Sequence, residues 1–183
     1  MKKIILSATI LLLTFLISKP DLAFADTAGS SAMLISQNEI KPKDNRSEIL
    51  KDFLELRNSP LAPYSKNFIE EADKNKLDWK LVVSIAGNES QFGQMIPPYS
   101  HNGWGFGVYG ANVRRFASWE EGITVVSKAL RTDYMNSWGA KNVYEIGSIY
   151  AEDPSWANKV NIYLSQLEDF EKQDSNKALS ISL

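Results

Sequence analysis

From Gly103 to Gly110 the chain reads Gly-Trp-Gly-Phe-Gly-Val-Tyr-Gly, and this run excludes a helix in the middle of a sequence otherwise patterned for helices. Alternating glycines let the backbone approach a ligand closely and take positive φ. Trp104, Phe106 and Tyr109 offer flat apolar faces that suit the faces of pyranose rings. The alternative is a glycine-rich hairpin whose aromatics fill the core, in which case a buried Trp or Tyr must also find a polar partner.

The flanks are helical in period. Ile49, Leu50, Phe53, Leu54 and Leu56 mark a first helix ending before Pro60, and Phe68, Ile69 and Ala72 mark a second. A third runs through Leu81, Val82 and Ile85 to Glu89. Ser118 with Glu121 has the form of a capping box opening a helix whose Ile123, Val126, Ala129, Leu130 and Tyr134 share a face. Asn142 with Glu145 repeats that device before Ile146, Ile149 and Tyr150. Asp153-Pro154 opens a last helix with Trp156, Val160, Tyr163, Leu164 and Leu167 facing inward. The expected fold is mainly α, with a small glycine-rich β or loop lobe after the third helix.

Glu89 stands at the end of that third helix, and no other acid occurs from Ser90 to Trp119. Its carboxyl projects from the edge of a core-facing stripe. Desolvation there disfavours the charged form, and a carboxyl that keeps its proton near neutral pH is a general acid.

The first residues carry a different signal. A basic start at Lys2 and Lys3, an apolar stretch from Ile4 to Ile17 and the small-x-small site Ala23-Phe24-Ala25 read as a secretory signal peptide over residues 1–25. A retained anchor is the competing reading, although the stretch is short of the roughly 20 residues a bilayer needs. Without cysteine the chain has no disulfide, thiolate metal site or lipid-modified Cys, so an exported domain relies on its core. Removing residues 1–25 takes Lys2, Lys3, Lys19 and Asp21 from 20 basic and 22 acidic side chains, leaving a net charge of −4. That weighs against nucleic acid and against strong attachment to anionic polymers, and assigns binding to stacking and hydrogen bonds. Residues 26–46 read as a flexible linker, 47–171 as one domain and 172–183 as a disordered tail. No membrane contact is expected after cleavage, and the location is secreted or cell envelope.

The pieces Glu89-Ser90-x-Phe92-Gly93, Asn102-Gly103-Trp104-Gly105-Phe106-Gly107, Phe116-x-Ser118-Trp119-Glu120-Glu121-Gly122-Ile123 and Tyr150-Ala151-x-Asp153-Pro154-x-Trp156-Ala157-x-Lys159-Val160 occur in this order. Together they resemble the glucosaminidase branch of the lysozyme-like superfamily, over roughly Leu77 to Leu167. The Glu-Ser pair is shared with lytic transglycosylases. The resemblance implies a lysozyme-like helical fold cleaving β-1,4 bonds of peptidoglycan glycan strands, with Glu89 as catalytic acid and Tyr150 facing the cleft. The family usually carries paired asparagines, whereas here Gly103 follows Asn102.

A glycosidase with two carboxyls needs a partner acid, but Glu120, Glu121, Asp133, Glu145, Glu152 and Asp153 all read as ordinary at helix ends or on solvated faces. The expected route is therefore substrate-assisted: Glu89 protonates the glycosidic oxygen while the substrate's own N-acetyl group stabilises the anomeric carbon. Water as the second reactant makes a hydrolase; the 6-hydroxyl of a muramic residue makes a lytic transglycosylase giving anhydro products. Action on chitin or N-glycans and a non-catalytic glycan-binding module stay open beside these.

The expected substrate-binding residues are Ser90, Asn102, Trp104, Phe106, Tyr109 and Trp156. Ser90 either orients the Glu89 carboxyl or ends the helix; Tyr150 either donates a hydrogen bond near the reacting centre or packs. His101 is the sole histidine, which excludes a histidine metal cluster, and Ser100-His101 makes no triad. Arg114 and Arg115 either contact stem-peptide carboxylates or belong to a solvated loop. No metal or cofactor is expected.

Overall fold

The computed structural model describes residues 44–107 and 112–181, without the side chains of 177–181. The expected signal peptide, most of the expected linker, and Tyr109 lie outside the described residues. The described chain forms six α-helices: α1 Arg46–Glu55, α2 Ser65–Asn75, α3 Trp79–Ser90, α4 Trp119–Ala129, α5 Val143–Tyr150 and α6 Trp156–Ile181. A 3-10 turn, Ala62–Tyr64, precedes α2, and a π-helical segment, Leu130–Ser137, continues α4.

Local chemistry accounts for the helix starts. Asp78 caps α3 by accepting from Lys80 N at 2.9 Å. At α4, Glu121 N bonds to Ser118 Oγ at 3.3 Å while Glu121 Oε2 accepts from Ala117 N at 2.6 Å. At α5, Glu145 N bonds to Asn142 Oδ1 and Glu145 Oε2 accepts from Lys141 N. In both devices an acid returns to the backbone just ahead of its own helix, which satisfies donors that the helix leaves orphaned.

The core is one cluster to which α1, α2, α3, α4 and α6 contribute Leu50, Phe53, Phe68, Ile85, Ile123 and Leu167, all buried. The α3 helix packs against α6, and Gly87 allows it: a Cβ there would stand 2.8 Å from the Phe92 ring and 2.9 Å from Tyr163. The last helix runs on to Ile181, through the stretch expected to be a loose tail. That stretch has no glycine or proline to stop it, and Lys172 pairs with Asp169 one turn back.

No strand occurs among the described residues, so the described part of the lobe after α3 is loop where β structure was one of the expectations. Side chains close it instead of a ladder. The chain leaves α3 through three successive residues at positive φ, Gln91 (50°), Phe92 (57°) and Gly93 (84°), two of them not glycine. Backbone held in this region costs on the order of 1 kcal/mol or more per non-glycine residue and persists only where packing fixes it. Here the buried Phe92 ring and the Ser90 hydroxyl hold it.

Candidate active site

Glu89 is the penultimate residue of α3 and is half-buried. Its Oε1 accepts two hydrogen bonds, from the indole Nε1–H of Trp156 at 2.5 Å and from Asn88 Nδ2 at 3.1 Å. The other oxygen, Oε2, faces Gly105: a Cβ built on that glycine would lie 3.1 Å from it. Gly105 has φ +58°, so both its conformation and its lack of a side chain serve the same approach. The two oxygens are thereby made unequal. Oε1 is committed to N–H donors, whereas Oε2 has no donor among the described residues.

Gly105 and Phe106 line a groove of about 510 Å³ whose other wall includes Tyr134, Ile149, Tyr150 and Glu152. Phe106 is thus the described aromatic of the glycine-rich run that borders open space. Trp104 does not: it is 0 % exposed, its Nε1–H donates to Val82 O at 2.9 Å, and Phe68, Phe116 and Trp119 surround its ring. It has no face to offer a sugar, and its polar partner is a helix carbonyl. The expectation of a stacking platform at Trp104 is corrected to a core anchor.

Three more of the expected substrate contacts prove to be internal. Asn102, buried, donates through Nδ2 to Phe106 O (2.9 Å) and Arg114 O (3.0 Å) and accepts at Oδ1 from Phe106 N (3.0 Å). Its amide is spent holding the loop that carries Gly105. Ser90 makes no bond to Glu89; its hydroxyl donates to Gly103 O (2.7 Å), with Ala86 O at 3.0 Å, and accepts from Gly93 N (2.9 Å). It pins the loop to the end of α3. Trp156, only 3 % exposed, is the residue that holds Glu89 and not one that meets a sugar.

Tyr150 joins these parts. Its ring stacks on Trp156 at 4.9 Å and 25°, and its hydroxyl donates to Trp104 O at 2.6 Å. The residue keeps some exposed surface, yet its hydroxyl sits in the interior. Burial, with the Glu89 carboxylate adding to it, pushes the phenol well above its ordinary range, so it stays a protonated donor. A closed chain results: Glu89 is held by Trp156, Trp156 is stacked on Tyr150, and Tyr150 holds the loop backbone that brings Gly105 to Glu89.

The π-helical segment supplies the opposite wall. Tyr134 lies 5.6 Å from Tyr150 and 4.9 Å from Trp138, ring to ring. Widening a helix by a residue per turn re-aims its side chains, and such segments are common at functional sites. Periodicity puts Tyr134 on the inward face of this helix, and there it is half-buried against the core while also lining the groove.

Of the remaining acids, Asp153 accepts from Ser155 and Lys159, which hold its carboxyl down at about 2, and Glu121 and Glu145 are caps. Glu152 is different: it is exposed, lines the groove and has no hydrogen-bond or ion-pair partner among the described residues. His101 donates from Nδ1 to Phe116 O (3.1 Å) and meets Trp119 edge-on, so it is a loop clasp. Among the described residues no cluster of three or more His, Cys, Asp or Glu is placed to hold a metal ion, and no helix is long and apolar enough to cross a membrane. No known family profile matches the chain, and no curated protein is significantly similar to it.

Proposed function

We propose that this chain is a peptidoglycan-cleaving glycosidase of the lysozyme-like, endo-β-N-acetylglucosaminidase kind. The observation that carries the reading is the asymmetric Glu89 carboxyl, held through Oε1 by Trp156 and Asn88, with Oε2 close against Gly105, a residue that lines the groove. A binding module has no use for an acid so constrained. A general acid does, because proton transfer depends on a fixed oxygen and a fixed direction.

In the mechanism, Glu89 Oε2–H gives its proton to the glycosidic oxygen as the C1–O bond breaks. The substrate's N-acetyl carbonyl oxygen bonds to C1 and carries the positive charge as a cyclic intermediate. Glu89, now a carboxylate, takes a proton from water as that water attacks C1 and reopens the ring. Configuration is retained and the carboxyl returns to its starting state. If the attacking group is instead the 6-hydroxyl of a muramic residue, the same steps give an anhydro end.

The test is digestion of purified cell-wall sacculi, with released fragments identified by mass spectrometry. Reducing ends at N-acetylglucosamine support the reading; muramic or anhydro-muramic reducing ends reassign the bond or the second step; no release sinks it. The position of Glu152 favours one second reading, a two-carboxylate hydrolysis. Glu152→Gln distinguishes them: turnover stays within about threefold on the assisted route and falls by on the order of 10²-fold or more if Glu152 takes part in the chemistry.

A further inference from the structure

Four aromatic rings run in unbroken contact from the acid to the surface. Trp156, which holds Glu89, stacks on Tyr150 at 4.9 Å; Tyr150 meets Tyr134 at 5.6 Å, and Tyr134 meets Trp138 at 4.9 Å. Burial falls along the row, from 3 % exposure at Trp156 through half-buried Tyr150 and Tyr134 to 57 % at Trp138. Tyr134 and Tyr150 line the groove at Gly105. Trp138 does not, so its ring extends the aromatic wall past the groove's own lining.

Trp138 is set up as a surface and not as filling. The other four tryptophans, Trp79, Trp104, Trp119 and Trp156, are at most 8 % exposed, whereas this residue keeps more than half its surface in water. Its indole N–H has no hydrogen-bond partner among the described residues. The turn beneath it is fixed: Trp138 N donates to Asp133 O at 2.8 Å, Ser137 Oγ to Thr132 O at 2.8 Å and Ala140 N to Tyr134 O at 2.9 Å. Tyr134 braces the ring at 72°. A ring held in this way loses little freedom when a flat partner settles on it. Its exposed chain neighbours Asn136, Ser137 and Lys141 are polar, which does not suit the apolar centre of a protein interface. It suits a pyranose, whose apolar face covers the indole while a hydroxyl accepts from Nε1–H.

We propose that Trp138 is an outer sugar-stacking subsite, which adds grip on a glycan strand only when the strand is long enough to fill the groove and reach past Tyr134. The proposal rests on the glycosidase reading for the identity of its strand; its own content is a dependence of binding on strand length. Trp138 takes no part in bond breaking.

Binding is measured calorimetrically on the full chain carrying Glu89→Gln, which blocks turnover. The probes are peptidoglycan strand fragments of two and six sugars with their stem peptides attached. Adding Trp138→Ala weakens the six-sugar fragment about tenfold, as for the loss of one aromatic stack, and leaves the two-sugar fragment within twofold. Trp138→Phe keeps a flat face without the N–H and retains part of the difference. Trp138 is also the indole open to acrylamide, so the six-sugar fragment shields fluorescence from that quencher in the Glu89→Gln chain, and the shielding is lost when Trp138→Phe is added. Equal loss for both fragments, no loss for the six-sugar fragment, shielding that survives Trp138→Phe, or no binding of either probe overturns the subsite. Failure of the glycosidase reading looks different: sacculi are not cut by the unsubstituted chain, while the preference for the longer fragment and its dependence on Trp138 remain.

Discussion

Replacing the Glu89 carboxyl by an amide keeps its size and leaves an oxygen for Trp156 and Asn88, so Glu89→Gln retains the fold and loses all release from sacculi. Unfolding curves that superpose, with activity gone, are the expected pair of results; surviving activity removes Glu89 from the chemistry. Trp156→Phe is the finer test. It keeps a ring against Tyr150 but removes the indole N–H and some buried volume, leaving Asn88 as the donor to Oε1, so a less firmly held carboxyl costs kcat about tenfold with KM little changed. The Trp156 partner does not follow from spacing rules: 67 positions separate it from Glu89, and the packing of α6 on α3 brings them together.

The glycine-rich loop acts as an element, and its glycines carry different duties. At Gly105 alanine meets two penalties, a left-handed backbone worth about 1–2 kcal/mol and a methyl 3.1 Å from Glu89 Oε2, so Gly105→Ala lowers kcat far more than it lowers Tm. At Gly122, which lies in α4 under the loop and not in it, the penalty is steric. A Cβ there would stand 2.6 Å from the Trp104 ring and 3.0 Å from Phe116, so Gly122→Ala destabilises by about 1–3 kcal/mol, read from denaturant midpoints. The loop's aromatics were visible in the sequence, but their division between core and groove was not. Trp104 and Phe106 are two residues apart in a run with no helical or strand period, and tertiary contacts, the Trp104 bond to Val82 O and the bonds of Asn102 and Tyr150 among them, decide which ring turns inward.

Across the whole molecule, acid stability turns on carboxylates bound to cations. Arg46 at the start of α1 forks onto Asp44 and onto Asp73 of α2, with contacts of 2.7 Å to each. The Arg46 guanidinium holds Asp44 at about 2 and Asp73 below its ordinary value. A carboxyl depressed in the folded state contributes stability above its unfolded pKa near 4, and that contribution is lost as pH falls towards 2. The groups are exposed, so the pair is worth no more than about 1 kcal/mol. Tm should therefore fall between pH 4 and pH 2, and Asp73→Asn should lower Tm at pH 7 while flattening that slope; an identical slope removes the pair from the account.

The helices and their caps belong to the sequence alone. Apolar residues recurring every three or four positions, with Asp78, Ser118–Glu121 and Asn142–Glu145 at the starts, are local codes that a chain obeys wherever it folds. So is the isolation of Glu89. What folding alone decided is the use of each polar group near it: Ser90 and Asn102 tie a loop, Trp156 holds the acid, and Phe106 is the ring left to line the groove. The physical reason is that a buried hydrogen bond is satisfied by whatever the close-packed core brings within 3 Å, and distance along the chain says nothing about that.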